Sequence, residues 1–213
     1  MPTDKPTATF RHLSAQAREA GVRAAFQRAT EIGELHVFAY ASLVWRPCFS
    51  SAACVPGNLE GHERDWCMWT VEARGSPEHP GLGLGLIASS NNCSGYLLTV
   101  APPHWHAALE AMWEREMLTG VYQPVWCPVS IDVGIKEALV FVIDPTHPQY
   151  AGGLDMQAQA ELIAKASGEL GTNREYLELT VASMRDHGLR DEKLECLHAL
   201  VNSLAACAPS TTE

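Results

Sequence analysis

Alternating apolar stretches fall before Ile143, and stretches of helical period close the chain after Asp155. That segregation constrains the fold more than any other feature. Strands are predicted at Leu35–Tyr40, as an antiparallel pair within Leu59–Val71, and at Leu82–Ala88, Cys93–Val100, Val121–Val129 and Ile131–Ile143. Cys48–Gly57, rich in small residues, and Asp144–Gly153 read as irregular. Three helices are predicted at about Asp155–Ser167, Asn173–His187 and Asp191–Ala206. Two others are predicted earlier: Ala15–Thr30, capped by Ser14 and ended near Gly33, and His104–Leu118, opened by Pro102 and Pro103. There is no βαβ alternation and no internal repeat. The expectation is an α+β protein whose antiparallel sheet curls toward a barrel.

One run stands out, His36-Val37-Phe38-Ala39-Tyr40-Ala41-Ser42-Leu43-Val44-Trp45-Arg46-Pro47. It begins as a buried strand, breaks at the small residues Ala41 and Ser42, and stops at Pro47, which lacks a ladder donor. A loop with small side chains leaves backbone N–H groups open to an oxygen-rich ligand. On the run alone, a core strand followed by an ordinary turn is the favoured account.

The 213 residues are 46% hydrophobic and 19% charged, which suits one soluble globular domain. A formal charge of −10 without a Lys/Arg cluster argues against nucleic acid and anionic membrane as partners. No stretch approaches the roughly 20 apolar residues of a membrane span, and the N-terminus lacks a secretory core. Seven scattered cysteines without a Cys-x-x-Cys pair fit reduced thiols in the cytoplasm and no structural zinc.

Among candidates for chemistry, Glu116 shares a helical face with Met112 and Trp113. A carboxylate on an apolar stripe loses solvation and gains proton affinity, as a general base and acid requires. Periodicity alone favours a rim residue paired to Arg115 or another cation; Glu114 reads as surface. Arg74 could clamp an anion bidentately or tie down its own Pro/Gly-rich loop. Tyr122 and Tyr150 could offer hydroxyls, though by residue type they are ordinary packing residues. His104 and His106, two apart, do not make a metal pair, and Ser42 lacks a nucleophile elbow. Cys67 and Cys127, beside tryptophans, read as core.

The run from His36 resembles the Phe-Gly-Tyr-Gly-Ser-Leu-x-Trp-Arg-Pro signature of the ChaC-like γ-glutamylcyclotransferases, with Ala39 and Ala41 in place of glycine. Four further blocks are similar to that family in the same order: Arg74–Leu82, Arg115–Pro124, Asp144–Gly152 and Gly171–Leu177. The resemblance implies a mixed, partly closed β-barrel with flanking helices, spanning 35–207. Residues 1–34 would be a tail and accessory helix, and 208–213 a disordered tail. It implies release of 5-oxoproline from γ-glutamyl compounds, chiefly glutathione, with no cofactor and no metal. Alternatives are another γ-glutamyl amide as substrate, or a non-catalytic γ-glutamyl-binding regulator. Glu116 would be the catalytic residue. Val37, Phe38, Ala39, Tyr40, Ala41, Ser42, Leu43, Trp45, Arg74, Tyr122 and Tyr150 would bind substrate. A monomer or weak homodimer is expected. If position 41 needed φ > 0, alanine there would cost about 1 kcal/mol or more.

Overall fold

The computed structural model describes residues 5–206. They form two compact units. Phe10–Asp65 and Gly85–Pro148 make one; Trp66–Leu84, the described residues from Gln149 onward and those before Phe10 make the other. The expected tail 208–213 lies outside the described residues, as does Cys207.

In the first unit, helix α1 (Ala15–Ile32) begins and ends as its caps dictate: Ser14 Oγ accepts from the Ala17 amide at 3.1 Å, and Gly33 follows in the left-handed region. Five strands close a barrel in the order β1-β3-β2-β4-β5: β1 (Leu35–Ala39), β2 (Ala53–Thr70), β3 (Gly81–Val100), β4 (Tyr122–Ile131) and β5 (Gly134–Ile143). β1 lies antiparallel to β3 and closes the ring by a parallel pairing with β5 at Val37 and Leu139. The sheet is therefore mixed, as the resemblance implies, and it closes into a barrel.

The two middle strands differ from expectation. The stretch read as a hairpin within 59–71 is one strand that starts at Ala53, and the stretches at 82–88 and 93–100 are one strand. Between those two predicted stretches lie the polar residues Ser89–Asn92. They remain in the ladder because Ser89 Oγ and Asn91 Nδ2 donate to Glu63 of β2 at 2.9 and 2.6 Å, and Ser94 Oγ donates to Asn58 at 2.6 Å. Cross-strand pairs of this kind stabilise a sheet where local propensity does not.

Phe38, Tyr40, Leu59, Leu86, Leu97, Val129 and Val140 pack as one cluster. Their neighbours in sequence face the opposite way. That other face carries Phe141, on which Trp113 of helix α2 (Trp105–Glu116) packs edge-on at 5.6 Å between centroids. The cluster is therefore the barrel interior and α2 lies outside. Helix α2 is shorter than expected: the two prolines sit in a 3₁₀ turn, Pro102–His104, and the helix stops at Glu116. Helix α1 braces it. A Cβ on Gly21 would come within 2.2 Å of Trp113 Nε1, so only glycine permits this approach.

The second unit holds α3 (Met156–Lys165), α4 (Asn173–Asp186), α5 (Glu192–Ala206) and a short hairpin, β6 (Ser167–Gly168) and β7 (Gly171–Thr172), that sequence reading did not anticipate. Asn173, fully buried, opens α4 and accepts from the Leu82 amide while donating to its carbonyl, each at 2.7 Å. Among the described residues, no helix is long and apolar enough to cross a membrane.

Candidate active site

The strand β1 delivers a turn. Val37, Phe38 and Ala39 have no exposed surface and fix the strand from which the turn springs. Tyr40 is held at both ends: its hydroxyl donates to the Phe141 carbonyl at 2.8 Å, and its own carbonyl accepts from Arg64 Nε at 2.7 Å. The next residues form a helical turn, with Val44 N–H on the Ala41 carbonyl at 3.0 Å and Arg46 N–H on the Ser42 carbonyl at 2.8 Å. As at the start of any helical turn, its first amides have no partner within it. Among the described residues none accepts from the amides of Ser42 or Leu43. Leu43 is buried and Trp45 half-buried. No described residue other than glycine has φ > 0, so Ala39 and Ala41 carry no left-handed strain. Ala41 packs against the barrel core instead. The cost expected at position 41 does not arise.

Glu116 closes α2 with its side chain 15% exposed. Loss of water pushes its carboxyl well above the usual carboxylate range, and the neighbouring Arg115 guanidinium opposes that rise. Both readings of the sequence thus hold together: Glu116 is desolvated, and it is paired to Arg115, whose Nε lies 3.1 Å from its Oε1. Arg115 does more. One terminal nitrogen donates to Ser42 Oγ at 2.5 Å and the other to the Arg46 carbonyl. The half-buried Cys48 thiol sits in the field of the same two side chains, and burial raises its pKa. Tyr122, at the start of β4, is buried with its ring edge-on to Phe141 at 6.5 Å. Glu114 is exposed. The first unit therefore brings together a carboxyl of raised proton affinity, a guanidinium and a row of backbone donors. Such a set can exchange a proton and donate hydrogen bonds to bound oxygens.

Arg74 and Tyr150 belong to the second unit. Arg74 donates to Glu175 Oε2 at 2.7 Å and to the Thr172 carbonyl at 3.1 Å, and its guanidinium lies over the Tyr176 ring. This is the tethering arrangement, with the carboxylate partner supplied by α4. Tyr150 bridges Met68 in antiparallel fashion, and its ring folds over Gly152, where a Cβ would come within 2.1 Å of the hydroxyl. Gln149 beside it donates to the Trp69 carbonyl at 2.8 Å.

Three residues escaped sequence reading. Arg64 sits in an aromatic strand and, by charge, reads as surface, yet it is 6% exposed and anchors Tyr40. Arg115 was legible only as a counter-ion, and Cys48 only as a thiol in an irregular stretch. No local pattern identifies a guanidinium that ties a turn 73 residues away.

A model of the ChaC-like protein family matches residues 35–204. The chain is 36% identical over 184 residues to glutathione-specific gamma-glutamylcyclotransferase of Escherichia coli (strain K12), covering 84% of this chain and 79% of that protein. It is 29% identical over 179 residues to glutathione-specific gamma-glutamylcyclotransferase 1 of Homo sapiens, covering 81% of each. A crystal structure of a yeast gamma-glutamyl cyclotransferase specific to glutathione matches with a TM-score of 0.73 at 18% identity, over 80% of this chain and 96% of that one, which shows a shared fold. By the extent of the family match and the identity to these relatives, the chain belongs to the ChaC-like family.

Proposed function

We propose that this protein is a γ-glutamylcyclotransferase that cleaves glutathione to 5-oxoproline and Cys-Gly. The observation that carries the reading is the Glu116 carboxyl, shielded from water at the end of α2 yet joined through Arg115 to the turn after β1.

The chemistry needs no protein nucleophile. The glutamyl α-amine attacks its own γ-carbonyl carbon; a C–N bond forms as the five-membered ring closes, and the amide C–N bond to cysteine breaks. Because attack is intramolecular, holding the chain folded supplies much of the rate. The amine is an ammonium at neutral pH and must first lose a proton. Glu116, ionised, takes that proton and returns it to the departing cysteinyl nitrogen, while the second proton that the attacking nitrogen sheds on becoming the ring amide passes to solvent, from which the released amine takes one up, so Glu116 ends the cycle as it began. The raised proton affinity suits both halves of that task. The amides of Ser42 and Leu43 provide donors to substrate oxygens. The free cysteines among the described residues support a reducing, cytoplasmic setting.

The test is incubation of pure protein with glutathione and chromatographic measurement of 5-oxoproline, beside a panel of other γ-glutamyl amides. Product from glutathione supports the reading. Product only from another amide moves the substrate, and binding by calorimetry without any product leaves a regulator. Absence of both product and binding removes the γ-glutamyl site.

A further inference from the structure

Arg115 is engaged three ways. Its Nε meets Glu116 of its own helix at 3.1 Å, and its two terminal nitrogens meet Ser42 Oγ and the Arg46 carbonyl. The last two acceptors flank the turn whose amides at Ser42 and Leu43 are open among the described residues. A guanidinium is a planar fork, so engaging all its edges fixes the angle between the elements it joins. A lysine in its place would carry the charge without the fork. Among the described residues, the backbone bonds within 41–46 are Val44 to Ala41 and Arg46 to Ser42. A single turn with so few bonds needs an outside anchor to hold one orientation. Arg64 anchors its first end through Tyr40, and Arg115 is the anchor along its length.

We propose that Arg115 is a positioning residue: it holds the Ala41–Arg46 turn against the end of α2, so that the turn's amides and the Glu116 carboxyl face one γ-glutamyl group. The proposal rests on the function proposed above. Arg115 does not accept or donate the transferred proton. It sets where the glutamyl group lies relative to the base, and a misplacement of about 1 Å costs on the order of 100-fold in rate.

The same contact opposes the rise in the Glu116 pKa, which gives a readout that mere stability would not move. The titrating group facing Glu116 and Arg115 from the turn side is Cys48. Glu114, next in sequence, is exposed. The experiment compares Arg115→Met and Arg115→Lys with the wild type in three measurements: the pH profile of kcat/KM for 5-oxoproline release, the split between kcat and KM, and hydrogen exchange at the Val44 and Arg46 amides. Arg115→Met is expected to lose about 100-fold in kcat/KM. Its acid limb moves to higher pH, because the cation opposing the carboxyl's rise is gone. Its Val44 and Arg46 amides exchange faster, while those of Leu109 and Met112 in α2 do not. Arg115→Lys is expected to restore the acid limb but neither KM nor slow exchange.

Unchanged KM, acid limb and turn exchange in Arg115→Met would overturn the positioning role while leaving the enzyme reading intact. Conversely, a wild type that releases no 5-oxoproline from any γ-glutamyl amide, with turn exchange still accelerated in Arg115→Met, removes the function and leaves the anchor standing. Equal loosening of the whole of α2 in both variants would assign Arg115 to general stability and end the proposal.

Discussion

Two Arg–Glu pairs show how far surroundings outrank residue type. At the α4–α5 junction, Arg185 Nε meets Glu195 Oε1 at 2.8 Å and a second nitrogen meets Oε2, in a fork with side chains 54% and 34% exposed. Hydrogen bonding to Arg185 draws the Glu195 carboxyl below its usual range. At the end of α2, Arg115 and Glu116 are 25% and 15% exposed, and Glu116 is pushed the other way. Two things differ. Water is largely excluded from Glu116, which penalises its charged form. Arg115 also spends only Nε on the carboxylate and gives its terminal nitrogens to the turn. One pair is a surface clasp, and the other leaves its carboxyl with a raised proton affinity.

Breaking the carboxylate side of each pair should separate them most. Glu116→Gln is expected to lower 5-oxoproline release from glutathione by about 10²–10⁴-fold, the usual worth of a positioned proton carrier, with circular dichroism unchanged. Glu195→Gln should leave the rate unaltered. Equal losses in the two variants would mean that the pairs do not differ in kind.

The pH dependence sharpens the contrast. A base works ionised, so turnover rises as pH climbs through the Glu116 pKa. Its acid limb should lie above the ordinary carboxylate range and should be unmoved by Glu195→Gln. A limb within the ordinary range would show that Glu116 is not the group being titrated.

Stability should respond with opposite signs. Glu116 binds its proton more tightly folded than unfolded, so its contribution is present below the unfolded pKa and is lost as pH rises through the folded one. Glu195 binds its proton less tightly when folded. Its contribution is present above the unfolded pKa and is lost as pH falls through the folded one. Melting curves of Glu116→Gln and wild type should therefore diverge toward neutral pH with the variant equal or higher, whereas Glu195→Gln should melt lower there. Smallest of all, Arg185→Ala is expected to lower the urea midpoint only slightly, as loss of an exposed pair does, without changing turnover.

Much of the fold was legible. Ser14 and Gly33 bound α1 within two residues of expectation, and the helical period placed α3, α4 and α5. The β4–β5 hairpin also fell close to its predicted strands. The long strands β2 and β3 were not legible, because their polar stretches are held in the ladder by cross-strand partners far apart in sequence, Ser89 and Asn91 on Glu63 and Ser94 on Asn58. Buried polar residues were illegible for the same reason. Arg64 and Asn173 are buried because backbone groups far along the chain satisfy them.

What the sequence by itself determined was the order of strands and helices, the strand that ends in a small-residue turn, and the acid at the end of an apolar helical stripe. These follow from local propensity and periodicity, which act over a few residues. Tertiary structure alone decided that β1 closes the barrel on β5, that Arg115 reaches Ser42 and Arg46, and that Glu116 holds its proton more tightly than an ordinary glutamate. Proton affinity depends on which atoms replace water around a carboxyl, and in this protein those atoms come from segments far apart in the chain.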